Sequence, residues 1–232
     1  MRKPVVDYKQ FRLNKLNQPE YNHLLYLLGW VGYFILYFVT ENFIPLENCH
    51  VIYSPLDDLL FPFCEWFVIP YVFWYFLIAF TLVYMALYNP KNFKWFMSFI
   101  IVCQVVGMAI YIIYPNRQDL RPDLATLGRE NPLTQLVGLL YSADTSSNVC
   151  PSMHVAYSIG IASAWLKEKT ASVPFKIFVV VCAIVISLST AFIKQHSIVD
   201  AFVALPVCLL AEVIAFGKGY WVPKFKKTPI AE

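Results

Sequence analysis

Six long apolar stretches, near residues 24–44, 66–88, 95–114, 153–167, 175–193 and 198–216, constrain this chain more than any other feature of its sequence. A helix needs about 17 to 25 apolar residues to cross ~30 Å of hydrocarbon. The fourth stretch is short and begins with His154, so it is expected to start at the interface or to tilt within a bundle. None alternates with the period of two that a barrel strand would need. With 59% hydrophobic and 14% charged residues, the 232-residue chain has too little polar surface for a soluble globule. The expected fold is all-α: a polytopic membrane protein with a six-transmembrane-helix bundle at 23–217, flanked by basic tails at 1–22 and 218–232. No signal-peptide pattern precedes the first stretch, which is expected to be retained.

The placement of Lys and Arg orients such a bundle. Fourteen of the 18 fall in the two tails, the turn between the second and third stretches, and the loop between the fourth and fifth; Lys218, Lys224, Lys226 and Lys227 supply the C-terminal share. The other four are Arg117, Arg121, Arg129 and Lys194. Both termini are therefore expected to be cytoplasmic, in an integral membrane protein whose expected location is the plasma membrane. The net charge of +3 forms no concentrated basic face, so nucleic acid is not an expected partner. The lipid bilayer and a membrane lipid substrate are.

The four basic residues on the minority side lie beside two histidine segments, Cys150-Pro151-Ser152-Met153-His154 and Lys194-Gln195-His196-Ser197-Ile198-Val199-Asp200. Polar groups at the edge of membrane-length apolar sequence are costly, and chemistry is a reason to keep them. Basic residues held against the positive-inside trend suggest an anion, and phosphate fits. Pro151 precedes an expected helix, so Ser152, Met153 and His154 would offer first-turn N–H groups to that anion. His196 and Asp200, four apart, share a helix face. A carboxylate on Nδ1 would leave Nε2 to attack phosphorus, with His154 as general acid. Arg121, helped by Arg117 and Lys194, would hold the non-bridging oxygens.

At these positions the chain resembles the phosphatidic acid phosphatase type 2 superfamily, with signatures Lys-x6-Arg-Pro, Pro-Ser-Gly-His and Ser-Arg-x5-His-x3-Asp. Here they read Tyr114-x6-Arg121-Pro122, Pro151-Ser152-Met153-His154 and Ser189-Thr190-x5-His196-x3-Asp200. The resemblance runs from about residue 56 to 216. It implies a reaction independent of metal or cofactor, through a phosphohistidine on His196, with Asp200 as its partner, His154 as acid, and Arg121 and Ser152 on the phosphate. Tyr114, Met153 and Thr190 depart from the pattern, and two phosphate-binding cations are missing from their usual places; Arg117 and Lys194 are the expected replacements. The Cys before Pro-Ser-x-His, and Asp58-x-x-Phe61-Pro62-Phe63, look more like the branch containing inositol phosphorylceramide synthases.

The expected function is hydrolysis of a lipid phosphate or pyrophosphate, of the phosphatidic acid, phosphatidylglycerol phosphate or polyprenyl pyrophosphate type. A head-group phosphotransferase is the alternative, and a catalytically dead transporter or binding protein a third reading that intact His154, His196 and Asp200 oppose. Water and an alcohol as acceptor, and the oligomeric state, are left open by the sequence. The long 115–150 connection, with its polar run from Ser142 to Asn148, is expected to form a lid and wall of the site. His23 and His50 read as non-catalytic, and a metal site from His50 with Asp57 and Asp58 matches no familiar spacing. Asp57 and Asp58 are better suited to capping a helix or screening the cavity mouth. Cys49 and Cys64 stand close enough in sequence for a bridge to be considered.

Overall fold

The computed structural model describes residues 3–217 and Tyr220. Arg2 and the tail residues Lys218, Lys224, Lys226 and Lys227 lie outside the described residues. Eight α-helices occur among those described: α1 (Leu28–Phe43), α2 (Pro55–Leu59), α3 (Val68–Tyr88), α4 (Pro90–Ile113), α5 (Pro132–Ala143), α6 (Met153–Lys167), α7 (Val173–Phe192) and α8 (Ile198–Phe216). Two two-residue strands, β1 (His50–Val51) and β2 (Asn116–Arg117), pair in parallel and tie the connection after α1 to the one after α4.

Among the described residues, five segments are long and apolar enough to cross a membrane: Asn22–Phe43, Glu65–Tyr88, Pro90–Ile113, Val173–Phe192 and Ile198–Phe216. The sixth expected span is α6, whose 15 residues reach only about 22 Å at 1.5 Å per residue. Its shortness has a local cause. The chain before it is held in an irregular loop down to Ser152, which caps the helix, and Glu168 ends it at the other side.

α6 is nevertheless the centre of the bundle, packed on α3, α4, α7 and α8. Apolar burial against lipid gives helices little reason to associate, so close backbone approach and dispersion must do so. Ala156, Gly160 and Ala164, four apart along α6, are all buried and form a small-residue stripe. A Cβ on Gly160 would stand 2.7 Å from the Phe99 ring, so this contact with α4 requires glycine. Polar clasps add direction: Trp165 Nε1 donates to Thr81 Oγ1 at 2.9 Å, and Asn92 Nδ2 to the Ala164 carbonyl at 2.9 Å. Lys167 and Glu212 form a 2.6 Å ion pair between α6 and α8.

Asn89 alone separates α3 from α4, capping α4 ahead of Pro90. Residues of the N-terminal segment fold back beneath this turn. Tyr8 donates to the Ala86 carbonyl, its hydroxyl lies 2.6 Å from His23 Nε2, and His23 is buried against Phe93. The long 115–150 connection also holds more structure than a lid loop, since it contains α5, opened by a capping box of Asn131 and Thr134 with Pro132 in the first turn.

Candidate active site

At the end of the bundle opposite the α3–α4 turn, His154 and His196 line one cavity of about 480 Å³. Their ring centroids are 5.7 Å apart. His196 Nδ1 lies 3.0 Å from Asp200 Oδ2, which also accepts from the Ser197 backbone N–H at 3.0 Å. The pair forms differently from a shared helix face: α8 begins at Ile198, Ser197 is its cap, and His196 stands just before it. Asp200 is thus both the third residue of a capping box and the histidine's partner. His196 Nε2 is left for the cavity. The His154 ring is packed between Tyr71 and Trp74, at 4.6 and 4.5 Å, and its buried Nε2 has no hydrogen-bond partner.

Three buried side chains fix the loops that carry these histidines. Asn116 accepts from the Val149 and Cys150 N–H groups at 2.9 and 2.8 Å and donates to the Tyr114 and Cys150 carbonyls at 3.0 and 2.9 Å. Asp57 caps α2 through the Ser54 N–H, and reaches across to α8, accepting from Ser197 Oγ at 2.7 Å and the Ile198 N–H at 2.7 Å. Met153 rests on α4 at Gly107; a Cβ on that glycine would come within 2.6 Å of the Met153 methyl. The missing side chain on α4 provides the room.

Asp57→Ala leaves three donors of two helix starts unanswered, and is expected to cost about 2–3 kcal/mol in thermal unfolding. Asp57→Asn, which keeps an acceptor oxygen, should recover part of that loss.

Ser152 caps α6 through Val155, and its own N–H is taken by the Asp200 carbonyl at 3.1 Å, so the two histidine segments are joined by backbone as well as by side chain. Cys150 is next to the same carboxylate. Burial first, and then Asp200, push its thiol up to about 12, which keeps it protonated and poorly nucleophilic.

The cations are elsewhere. Arg121 lies one layer behind the cavity, stacked on Tyr141, with its terminal nitrogens donating to the Tyr141, Asp144 and Thr145 carbonyls and to Gln195 Oε1. Arg117 bonds the Leu46 carbonyl and pairs with Asp119 at 3.2 Å. Lys194, at φ +56, donates to the Asp57 carbonyl at 2.6 Å and pairs with Asp58 at 3.5 Å. Of the residues singled out in the sequence, His154, His196 and Met153 line the cavity, Asp200 and Ser152 support it, and Arg121, Arg117 and Lys194 do not reach its surface.

Asn116, Gln195 and Asp144 were missed by sequence reasoning. Asp144 falls inside the polar run from Ser142 to Asn148, so the segment carried a signal although the residue did not. Its carboxyl lines the cavity, and burial raises its pKa while His196 and Arg121 act in the opposite sense. His50 stacks on Tyr114 at 4.1 Å, and among the described residues no group of three or more His, Cys, Asp or Glu side chains is placed to hold a metal ion. Cys49 and Cys64 are both free thiols, so the considered bridge is not formed. No family model, curated protein or solved structure matches this chain.

Proposed function

We propose that this protein is a membrane lipid phosphatase that works through a phosphohistidine on His196. The observation that supports it most is a single cavity holding His154 and His196, with Asp200 on the Nδ1 of His196. In the first step the Nε2 lone pair forms the P–N bond as the P–O bond to the lipid breaks, and His154 gives its proton to the leaving oxygen. In the second step water attacks phosphorus, its proton passes to His154, and the bonding pair returns to Nε2. Arg121 stiffens the Asp144–Thr145 turn that roofs the cavity, and Lys194 braces the chain entering His196. In this reading α6 is the sixth membrane helix, both termini are cytoplasmic, and the site opens on the other face. The lipid phosphates or pyrophosphates named from the resemblance are its substrates.

Transfer of a head group to an alcohol is the second reading. What favours it is the cavity lining, which holds a carboxylate and neither Lys nor Arg, a poor match for a dianion.

Purified protein incubated with phosphatidic acid, phosphatidylglycerol phosphate or a polyprenyl pyrophosphate in excess chelator is expected to release phosphate. Rapid quenching should trap a phosphoenzyme that survives alkali and decays in acid. Release abolished by the chelator, or turnover with no such intermediate, would refute the proposal; release only when an alcohol is added would move it to the transferase.

A further inference from the structure

The cavity containing the two histidines has Asp144 as its one carboxylate, and its walls are aromatic: Trp30, Tyr33 and Tyr37 from α1, with Tyr71, Trp74 and Tyr75 from α3. A site built for phosphate alone would gain from the opposite lining. Asp144 ends α5, and Arg121 binds its backbone carbonyl at 3.0 Å without touching its carboxylate. Among the described residues the one hydrogen bond to that carboxylate is a long one, from the Tyr37 hydroxyl at 3.4 Å. Arg121 and His196 act on this carboxylate without bonding to it, and no Lys or Arg lines the cavity among the described residues, so its cavity side is open to a further cation. The rings around it favour the same sign of charge. Trp74 and Tyr75 meet edge to face at 4.9 Å, Tyr33 and Tyr37 are 5.7 Å apart, and the hydroxyls of Tyr33, Tyr37, Tyr71 and Tyr75 all lie within electrostatic reach of Asp144. Aromatic faces beside a carboxylate form a receptor for an alkylammonium ion.

We propose that Asp144, with Tyr37 and Tyr75, forms an alkylammonium subsite that holds the cationic end of an amino-alcohol phosphate. Its phosphate then meets His196 and His154, so that the ligand is zwitterionic and each end finds its own partner. This placement of the phosphate rests on the phosphohistidine reading and belongs with its transfer branch; the ammonium subsite itself requires neither.

The test is a titration of the purified full-length chain, in an uncharged detergent, with choline, followed by tryptophan fluorescence from Trp30 and Trp74. Saturable binding is expected. The neutral isostere 3,3-dimethylbutan-1-ol, with the same shape and no charge, should bind about tenfold more weakly. Asp144→Asn should lose about tenfold for choline while leaving the neutral alcohol unchanged. Choline carries no phosphate, so its binding is read independently of the phosphohistidine reading, whose failure leaves this result intact. Short-chain phosphatidylcholine binding at least about tenfold more tightly than choline, with short-chain phosphatidylglycerol much weaker, assigns the ammonium to a lipid head group; affinity equal to that of choline assigns it to a soluble amino alcohol. No saturation with choline, equal binding of choline and its neutral isostere, or an unchanged Asp144→Asn variant would each overturn the proposal.

Discussion

His196→Ala is expected to reduce kcat by about 10⁴- to 10⁶-fold, because it removes the atom that forms the intermediate in the proposed mechanism. Its effect on folding should be small, since the His196 ring bonds only to Asp200 and its backbone N–H stays with the Thr190 carbonyl. Asp200→Asn is the more discriminating variant. Ring and cap share one oxygen, Oδ2. An asparagine with its NH₂ there gives up the Ser197 N–H, makes Nδ1 the acceptor and moves the proton to Nε2, the nitrogen that attacks in the proposed mechanism; one with its oxygen there keeps the cap but lacks the negative charge that stabilises the imidazolium. A loss of about 10³- to 10⁴-fold in kcat with little change in KM follows. Steady-state kinetics beside thermal melts separate this from misfolding. Turnover retained in His196→Ala would remove His196 from the chemistry; turnover retained in Asp200→Asn would remove only the role of Asp200 in setting its tautomer.

The second large effect is structural. Asn116→Ala would leave two N–H groups and two carbonyls of the Tyr114 and Val149–Cys150 backbone without partners, in a place where Asn116 itself is fully buried. Unmet buried groups cost about 1–3 kcal/mol each, and allowing for relaxation the variant should lose about 3–5 kcal/mol. Asn116→Asp keeps the two acceptor bonds but sets an oxygen against two carbonyls, so it should be no better. A melting temperature unchanged in Asn116→Ala would show that the loop before α6 holds itself.

The sequence made the long helices legible because apolar length is a property of each segment alone. It also revealed the pairing of His196 with Asp200, because a spacing of four keeps two side chains within reach even when a capping turn, not a helix face, brings them together. The loops could not be read in the same way. Whether Arg121, Arg117 and Lys194 meet the cavity depends on which carbonyls compete for them, and those carbonyls come from Leu46, Asp57, Tyr141, Asp144 and Thr145, remote in sequence. The helix α5 was hidden for a related reason: its 12 residues lie in a stretch read as connection, and its start is marked by an asparagine and a proline that serve equally well in a turn. Asn116 carries no local pattern at all, and its value comes from the four backbone groups that converge on it.

The brevity of α6 has a consequence for the membrane around it. Its neighbours α3, α4, α7 and α8 have 19 to 24 residues, against 15 for α6. A helix about 22 Å long falls about 8 Å short of spanning ~30 Å of hydrocarbon, a deficit to be met at its two ends. Under the proposed function, a phosphate bound for the histidines at its first turn would have to enter that shortfall, or the lipid around α6 would have to thin. Hydrophobic mismatch costs fractions of a kcal/mol per ångström, enough to change the work of delivering a charged head group severalfold across ordinary lipids. If the proposed function holds, bilayer thickness acts on this site as temperature or ionic strength acts on a soluble enzyme, as a setting imposed by the solvent.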